Sequence, residues 1–99
     1  MQARQAPEGY AELSNSALCQ KLYQWEREIR PIIRAKYDQC IFIDIGPIID
    51  SNYKVTGKFG VTCSKDCNKD CNIIKDLQTS LNTVISAEEM ERIVIEVRN

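Results

Sequence analysis

Histidine is absent from this chain, and that absence excludes more chemistry than any residue present suggests. Without imidazole there is no side chain with an ordinary pKa near neutrality to serve as general base. There is also no Ser-His or Cys-His nucleophile pair, and no zinc site that needs a histidine ligand. No apolar run approaches the length of a bilayer span, and the opening MQARQAPEGYAELSNS has no hydrophobic segment of a secretory signal. A dominant charge sign is missing too: 13 Lys and Arg stand against 14 Asp and Glu, a net charge of −1. Such a balance supplies no global field to hold a polyanion, though a local basic patch remains compatible with it. The expectation is a soluble intracellular protein, cytoplasmic by default and without membrane association, that is not an enzyme. No catalytic residue, cofactor site or metal-ligand set emerges from the residues.

What is present fits one globular domain. Ninety-nine residues with 43% hydrophobic and 27% charged content are enough for a single core and too few for two. Residues 1–13 carry Pro7, Gly9 and scattered polar residues without a period, and read as a flexible N-terminal arm. Residues 14–99 read as the domain. Five cysteines are many for a reducing compartment, and an odd number leaves at least one thiol outside any intramolecular pairing.

The clearest pattern lies between Gln39 and Cys63. Ile41, Ile43 and Ile45 alternate with Phe42 and Asp44, while Tyr53, Val55, Phe59, Val61 and Cys63 alternate with Lys54, Thr56, Lys58 and Thr62. Two such runs around Asp50-Ser51-Asn52-Tyr53 predict a long β-hairpin. A plain two-residue turn at Ser51-Asn52 sends the two apolar faces to opposite sides of the sheet. One extra residue in the first arm, at Gly46-Pro47, brings them together, pairing Ile45 with Gly57, Ile43 with Phe59 and Ile41 with Val61. Proline has no ladder N–H to lose and glycine tolerates unusual dihedrals, so the bulge is expected there. It also moves Cys40 out of opposition with Cys63 and removes any need for a bond between them.

Ahead of the hairpin, Ser14 or Ser16 caps a helix whose residues Leu18, Leu22, Trp25, Ile29, Ile32 and Ile33 form an apolar stripe. Pro31 falls inside it, where a missing hydrogen bond and a ring clash cost roughly 3 kcal/mol. The expectation is a kinked helix, or two abutting helices, ending near Tyr37. Beside the apolar stripe run Tyr23, Arg27, Arg30, Arg34 and Tyr37, the candidate binding surface. Arginine forks suit phosphate or carboxylate and tyrosines offer stacking faces, so single-stranded nucleic acid or an acidic protein segment fits the chemistry. The competing reading is a solvated helix flank partly neutralised by Glu26 and Glu28.

After the hairpin, Lys-Asp-Cys-Asn occurs twice in tandem, so that Cys63, Cys67 and Cys71 recur at four-residue steps. On a helix the first and last of these stand about 12 Å apart along the axis, too far for one tetrahedral ion. The same step continues into Ile74, Leu77, Leu81, Val84 and Ile85, which assigns Cys67 and Cys71 to the core face of a second helix over 66–85. Thr79, Ser80, Asn82 and Thr83 are weak helix formers and loosen its end. Ser86-Ala87-Glu88-Glu89 matches a capping box. Arg92–Arg98 is rich in β-branched residues and reads as a third strand; as an outer strand it offers Ile93, Val94 and Ile95 as the candidate dimer edge, and as a central strand it is already paired on both sides.

The order α-β-β-α-β predicts an α+β two-layer sandwich. Its three-stranded mixed sheet, the hairpin plus the C-terminal strand, is covered on one face by two helices, with the third strand parallel to the second. This order is similar to that of type II KH-like domains, which bind RNA. Their Gly-X-X-Gly loop has no counterpart here, because the glycines lie at 9, 46, 57 and 60, so the resemblance is one of topology and transfers no residue. Two functions follow as expectations. The first is a small non-enzymatic protein-interaction module acting as a homodimer or toward another protein. The second, less favoured by the charge balance, is a nucleic-acid binder using the tyrosine and arginine stripe.

Overall fold

The expected hairpin is present as β1 (Cys40–Ile49) and β2 (Val55–Lys65), paired antiparallel, in the computed structural model, which describes residues 6–37, 40–65 and 72–98. Its register differs from the expectation in a way that Gly57 explains. Ile49 faces Val55, but Pro47 faces Phe59, so β2 spends four residues where β1 spends two. The bulge therefore lies in β2, around Thr56-Gly57-Lys58, and not at Gly46-Pro47. Gly57 takes φ 84°, a left-handed conformation that a residue with a Cβ adopts only with strain. The Thr56 hydroxyl donates to the Ile48 carbonyl and accepts from the Lys58 N–H, so the bulge satisfies its own polar groups. Pro47 stays in the ladder because β1 is an edge strand, where a missing N–H is tolerated.

The turn is also one residue longer than expected. Asp50 N–H bonds Lys54 O, Tyr53 N–H bonds Asp50 O, and Tyr53 takes φ 60°, the pattern of a three-residue loop closed by a left-handed residue. The Asp50 carboxylate accepts from the Asn52 and Lys54 N–H groups and holds the loop. An even register change keeps odd-numbered residues together from Pro47 back to Phe42, beyond which a second shift, of one residue, sets Cys40 opposite Lys65. Ile43, Ile45, Phe59, Val61 and Cys63 are therefore all buried on one face, as the apolar pattern required, although Ile43 faces Cys63, Ile45 faces Val61 and Phe59 faces Pro47. Cys63 stands against Ile43, not Cys40.

Two helices cover this face. α2 (Ala17–Lys36) starts at Ser16, whose hydroxyl accepts the Cys19 N–H, and it runs through Pro31 as one helix. The segment is not split, because Pro31 sits on the exposed side while Leu22, Trp25, Ile29 and Ile33 on the opposite side are held in the core. Ile32 belongs to the outer side as well: it is 60% exposed, and the fully buried Cys19 replaces it in the stripe. α3 (Asn72–Leu81) buries Ile73, Leu77 and Leu81. Val84, expected on that face, is 37% exposed, because the helix ends at Leu81 and the chain turns through Thr83 and Val84 before Ile85 re-enters the core. The expected start of this helix, with Cys67 and Cys71, lies outside the described residues.

Two further short helices lie among the described residues. α1 (Tyr10–Ser14) forms within the stretch read as an aperiodic arm, entered through Gly9 at φ 85°. It is too short to show a period, which is why the pattern missed it. α4 (Ala87–Met90) opens with the expected capping box, Ser86 Oγ accepting the Glu89 N–H and the Glu89 carboxylate accepting the Ser86 N–H. It leads into β3 (Ile93–Arg98), which pairs parallel to β2. The fold is an α+β mixed three-stranded sheet in the order β1-β2-β3, with β2 central.

Candidate functional site

The tyrosine and arginine stripe of α2 does not stand as one solvent-facing patch. Tyr23 is half-buried against the core, and its side chain hydrogen-bonds that of Cys19. Burial, helped by this bond, pushes the Tyr23 hydroxyl up to about 12, while burial also raises the Cys19 thiol. Tyr37 packs on the other end of the core and donates a 2.6 Å hydrogen bond to Asp76 Oδ2, beside the Lys36 ammonium at 2.7 Å. Those two bonds, Lys36 first, lower the Asp76 carboxyl below its ordinary value. Tyr37 thus ties the end of α2 to α3, whereas Tyr23 bonds within its own helix.

Of the three arginines, Arg30 is the most constrained. Its guanidinium pairs with Glu26 at 2.8 Å and reaches the Ile43 carbonyl of β1 at 3.3 Å, while its Nε is buried without a hydrogen-bond partner. Arg27 is exposed and donates to Gln24 Oε1 at 2.8 Å, and Arg34 is exposed. The two arginines of this flank classed as exposed, Arg27 and Arg34, lie seven positions apart.

The sheet presents a second candidate that is geometrically simpler. The face away from α2 and α3 carries Asp44, Gly46 and Ile48 from β1, Lys58, Gly60 and Thr62 from β2, and Val94 and Glu96 from β3. Gly46, Gly60 and Val94 line up across the strands. Ile48 leans over Gly60, where a Cβ would meet its Cγ1 at 3.4 Å, and the Tyr10 hydroxyl approaches Gly46. A cleft of about 420 Å³ opens here between Tyr10, Asp44 and Thr62. On the helix side, a cleft of about 360 Å³ runs between α2 and α3 beside the exposed Ile32. The first has Tyr10 and Asp44 as its titratable groups and the second Lys36 and Asp76, which are paired with each other; among the described residues no group of three or more Cys, Asp or Glu is placed to hold a metal ion. No described helix is long and apolar enough to cross a membrane.

The two sheet edges are not equivalent. β1 contains Pro47, has Arg30 bonded to one of its carbonyls, and is packed by α1 and α2. β3 has no proline. The phase of its ladder follows from a single bond, Phe59 N–H to Arg92 O at 2.8 Å. In an evenly spaced parallel ladder the polar groups of 92, 94 and 96 then face β2, and those of Ile93, Ile95 and Val97 face outward. The side chains of these three residues pack on the core yet remain half-exposed, whereas their row-mates Phe59, Val61 and Cys63 on β2 are fully buried. The sequence marked Ile93, Val94 and Ile95 as an edge candidate; Val97, which shares the outward phase, was missed because phase depends on a hydrogen bond that no sequence pattern encodes.

Compared with protein-family models, curated proteins and solved structures, the chain matches none of them.

Proposed function

We propose that this protein is a small non-enzymatic interaction module that works by strand addition at the β3 edge, assembling as a homodimer. The observation that carries this reading is the asymmetry of the sheet: one edge is blocked by proline and arginine, and the other offers three outward backbone positions beside incompletely covered apolar side chains. Unpaired edges are usually blunted by charge, proline or bulges, and an edge left open is a template for another strand. The absence of histidine from the sequence supports a role without catalysis.

The competing reading is nucleic-acid binding through Tyr23, Arg27, Arg30, Arg34 and Tyr37. It retains the exposed Arg27 and Arg34 but has both tyrosines engaged elsewhere. Sedimentation equilibrium with and without a single-stranded oligonucleotide, repeated across a salt series, separates the two. The edge reading expects a dimer that persists at high salt and ignores the oligonucleotide. A monomer that binds the oligonucleotide, with affinity falling steeply as salt rises, overturns it in favour of phosphate contact.

A further inference from the structure

We propose that the strand added at β3 is the β3 of a second copy of this chain, paired antiparallel about a twofold axis through Ile95. This rests on the edge reading above and adds which strand of the second copy pairs, in what direction and in what register. In an antiparallel pair, two residues exchange both hydrogen bonds only if the N–H and C=O of each point into the seam. On β3 those residues are Ile93, Ile95 and Val97. With Ile95 opposite the partner's Ile95, Ile93 meets the partner's Val97 and Val97 meets the partner's Ile93, so every outward polar group of the three is used.

Of the two neighbouring registers, Glu96 on the axis sets two like carboxylates directly opposite each other, and Val94 on the axis matches fewer groups. It pairs Ile93 with the partner's Ile95 but leaves Val97 facing the partner's Glu91. That position is the C-cap of α4, with φ −64° and ψ −19°, a helical conformation that cannot extend a ladder. Centring on Ile95 also makes the strand its own complement. The row Ile-Ile-Val meets Val-Ile-Ile, six β-branched side chains in one line on the core side, and it closes over the half-exposed flank that α3 leaves beside β3. A twofold axis perpendicular to the sheet keeps both helical layers on the same side and makes one six-stranded sheet.

On the opposite face this register sets Val94 against the partner's Glu96 at two symmetry-related places, and the test uses that pairing. Val94→Lys puts an ammonium opposite each carboxylate and is expected to dimerise at least as tightly as the parent at low salt. Val94→Glu opposes two carboxylate pairs and is expected to weaken dimerisation by roughly tenfold. In the parent protein, a mixture of isotope-labelled and unlabelled chains should give an intermolecular Hα–Hα contact between Val94 and Glu96. Exchange protection at the Ile93, Ile95 and Val97 amides should rise with protein concentration. Weakening by both substitutions, together with a Val94 to Val94 contact, overturns the register and leaves the edge reading intact. A parent protein that stays monomeric, or a dimer whose contacts avoid β3, overturns both. The labelling experiment needs no variant and decides the matter even if a substitution unfolds the chain.

Discussion

The indole Nε1–H of Trp25 donates a 2.9 Å hydrogen bond to Oγ of Ser80, joining α2 to α3 over a separation of 55 residues. Trp25 is 2% exposed, so the indole has little access to water if Ser80 is removed. Ser80→Ala should therefore destabilise the fold by about 1–3 kcal/mol, the penalty for stranding a buried donor. A lowered urea midpoint with an unchanged slope, followed by the fluorescence of the single tryptophan, is the expected result. An unchanged midpoint would mean that water replaces the hydroxyl.

The cluster of Lys36, Tyr37 and Asp76 predicts a dependence of stability on acid. The Asp76 carboxyl is held below its ordinary value of 3.8, by Lys36 first and then Tyr37. Its contribution is complete above that value and is lost as pH falls through the lower folded value. Asp76→Asn should therefore flatten the acid limb of the stability curve, and Tyr37→Phe should move the Asp76 titration, followed by carboxyl NMR, back toward the ordinary value. Lys36 is raised above 10.5, with its bond to Asp76 the largest cause. That part of the linkage is complete below 10.5 and is lost as pH rises through the folded value, on the alkaline side only.

Gly57 gives a test of the bulge. Nothing stands within 4 Å of the place where a Cβ would lie, yet φ is 84°, so the effect of a side chain here is conformational and not steric crowding. Gly57→Ala should destabilise by about 1–2 kcal/mol. Gly60→Ala should act through contact instead, because its Cβ would meet Ile48 at 3.4 Å. Thermal denaturation of the two variants, with Ile48→Ala added to each, distinguishes the mechanisms: the effect of Gly60→Ala should change when its Ile48 contact is shortened, and that of Gly57→Ala should not.

The two helices provide the contrast that tests face assignment. Ile73 is fully buried and Ile32 is 60% exposed. Ile73→Ala should cost about 2–5 kcal/mol, while Ile32→Ala should stay within about 0.5 kcal/mol. Chemical denaturation of both variants checks it. A large loss at Ile32 would place a packed partner over the cleft between α2 and α3.

Period alone made much of this architecture legible. Leu18, Leu22, Trp25, Ile29 and Ile33 announce the buried face of α2, the alternation around Ile43 and Val61 announces the hairpin, and Ser86 with Glu89 announces a cap that the hydrogen bonds bear out. Where two apolar residues are neighbours the pattern misassigned one of them: it put Ile32 in the stripe beside Ile33, and it chose Ile74 for the core where Ile73 is the fully buried residue and Ile74 is only partly covered. The difference is a fraction of a helical turn, and packing decides it. The candidate site was legible only as residue types. Tyr23 and Tyr37 share a stripe with the arginines, but their hydroxyls are bound to Cys19 and to Asp76 on a distant segment.

The hairpin strands, the third strand, the long helix and most of their buried faces were determined by the sequence, because each depends on side-chain chemistry repeating at the local period of the backbone. The register of β1 on β2, the outward phase of Ile93, Ile95 and Val97, and the inequality of the two sheet edges were decided only by the tertiary structure. They depend on where Gly57 takes up the extra length of β2, on the single bond from Phe59 to Arg92, and on Arg30 reaching β1. These are contacts between segments far apart in the chain, whose positions are set when hydrogen bonding and packing are satisfied together.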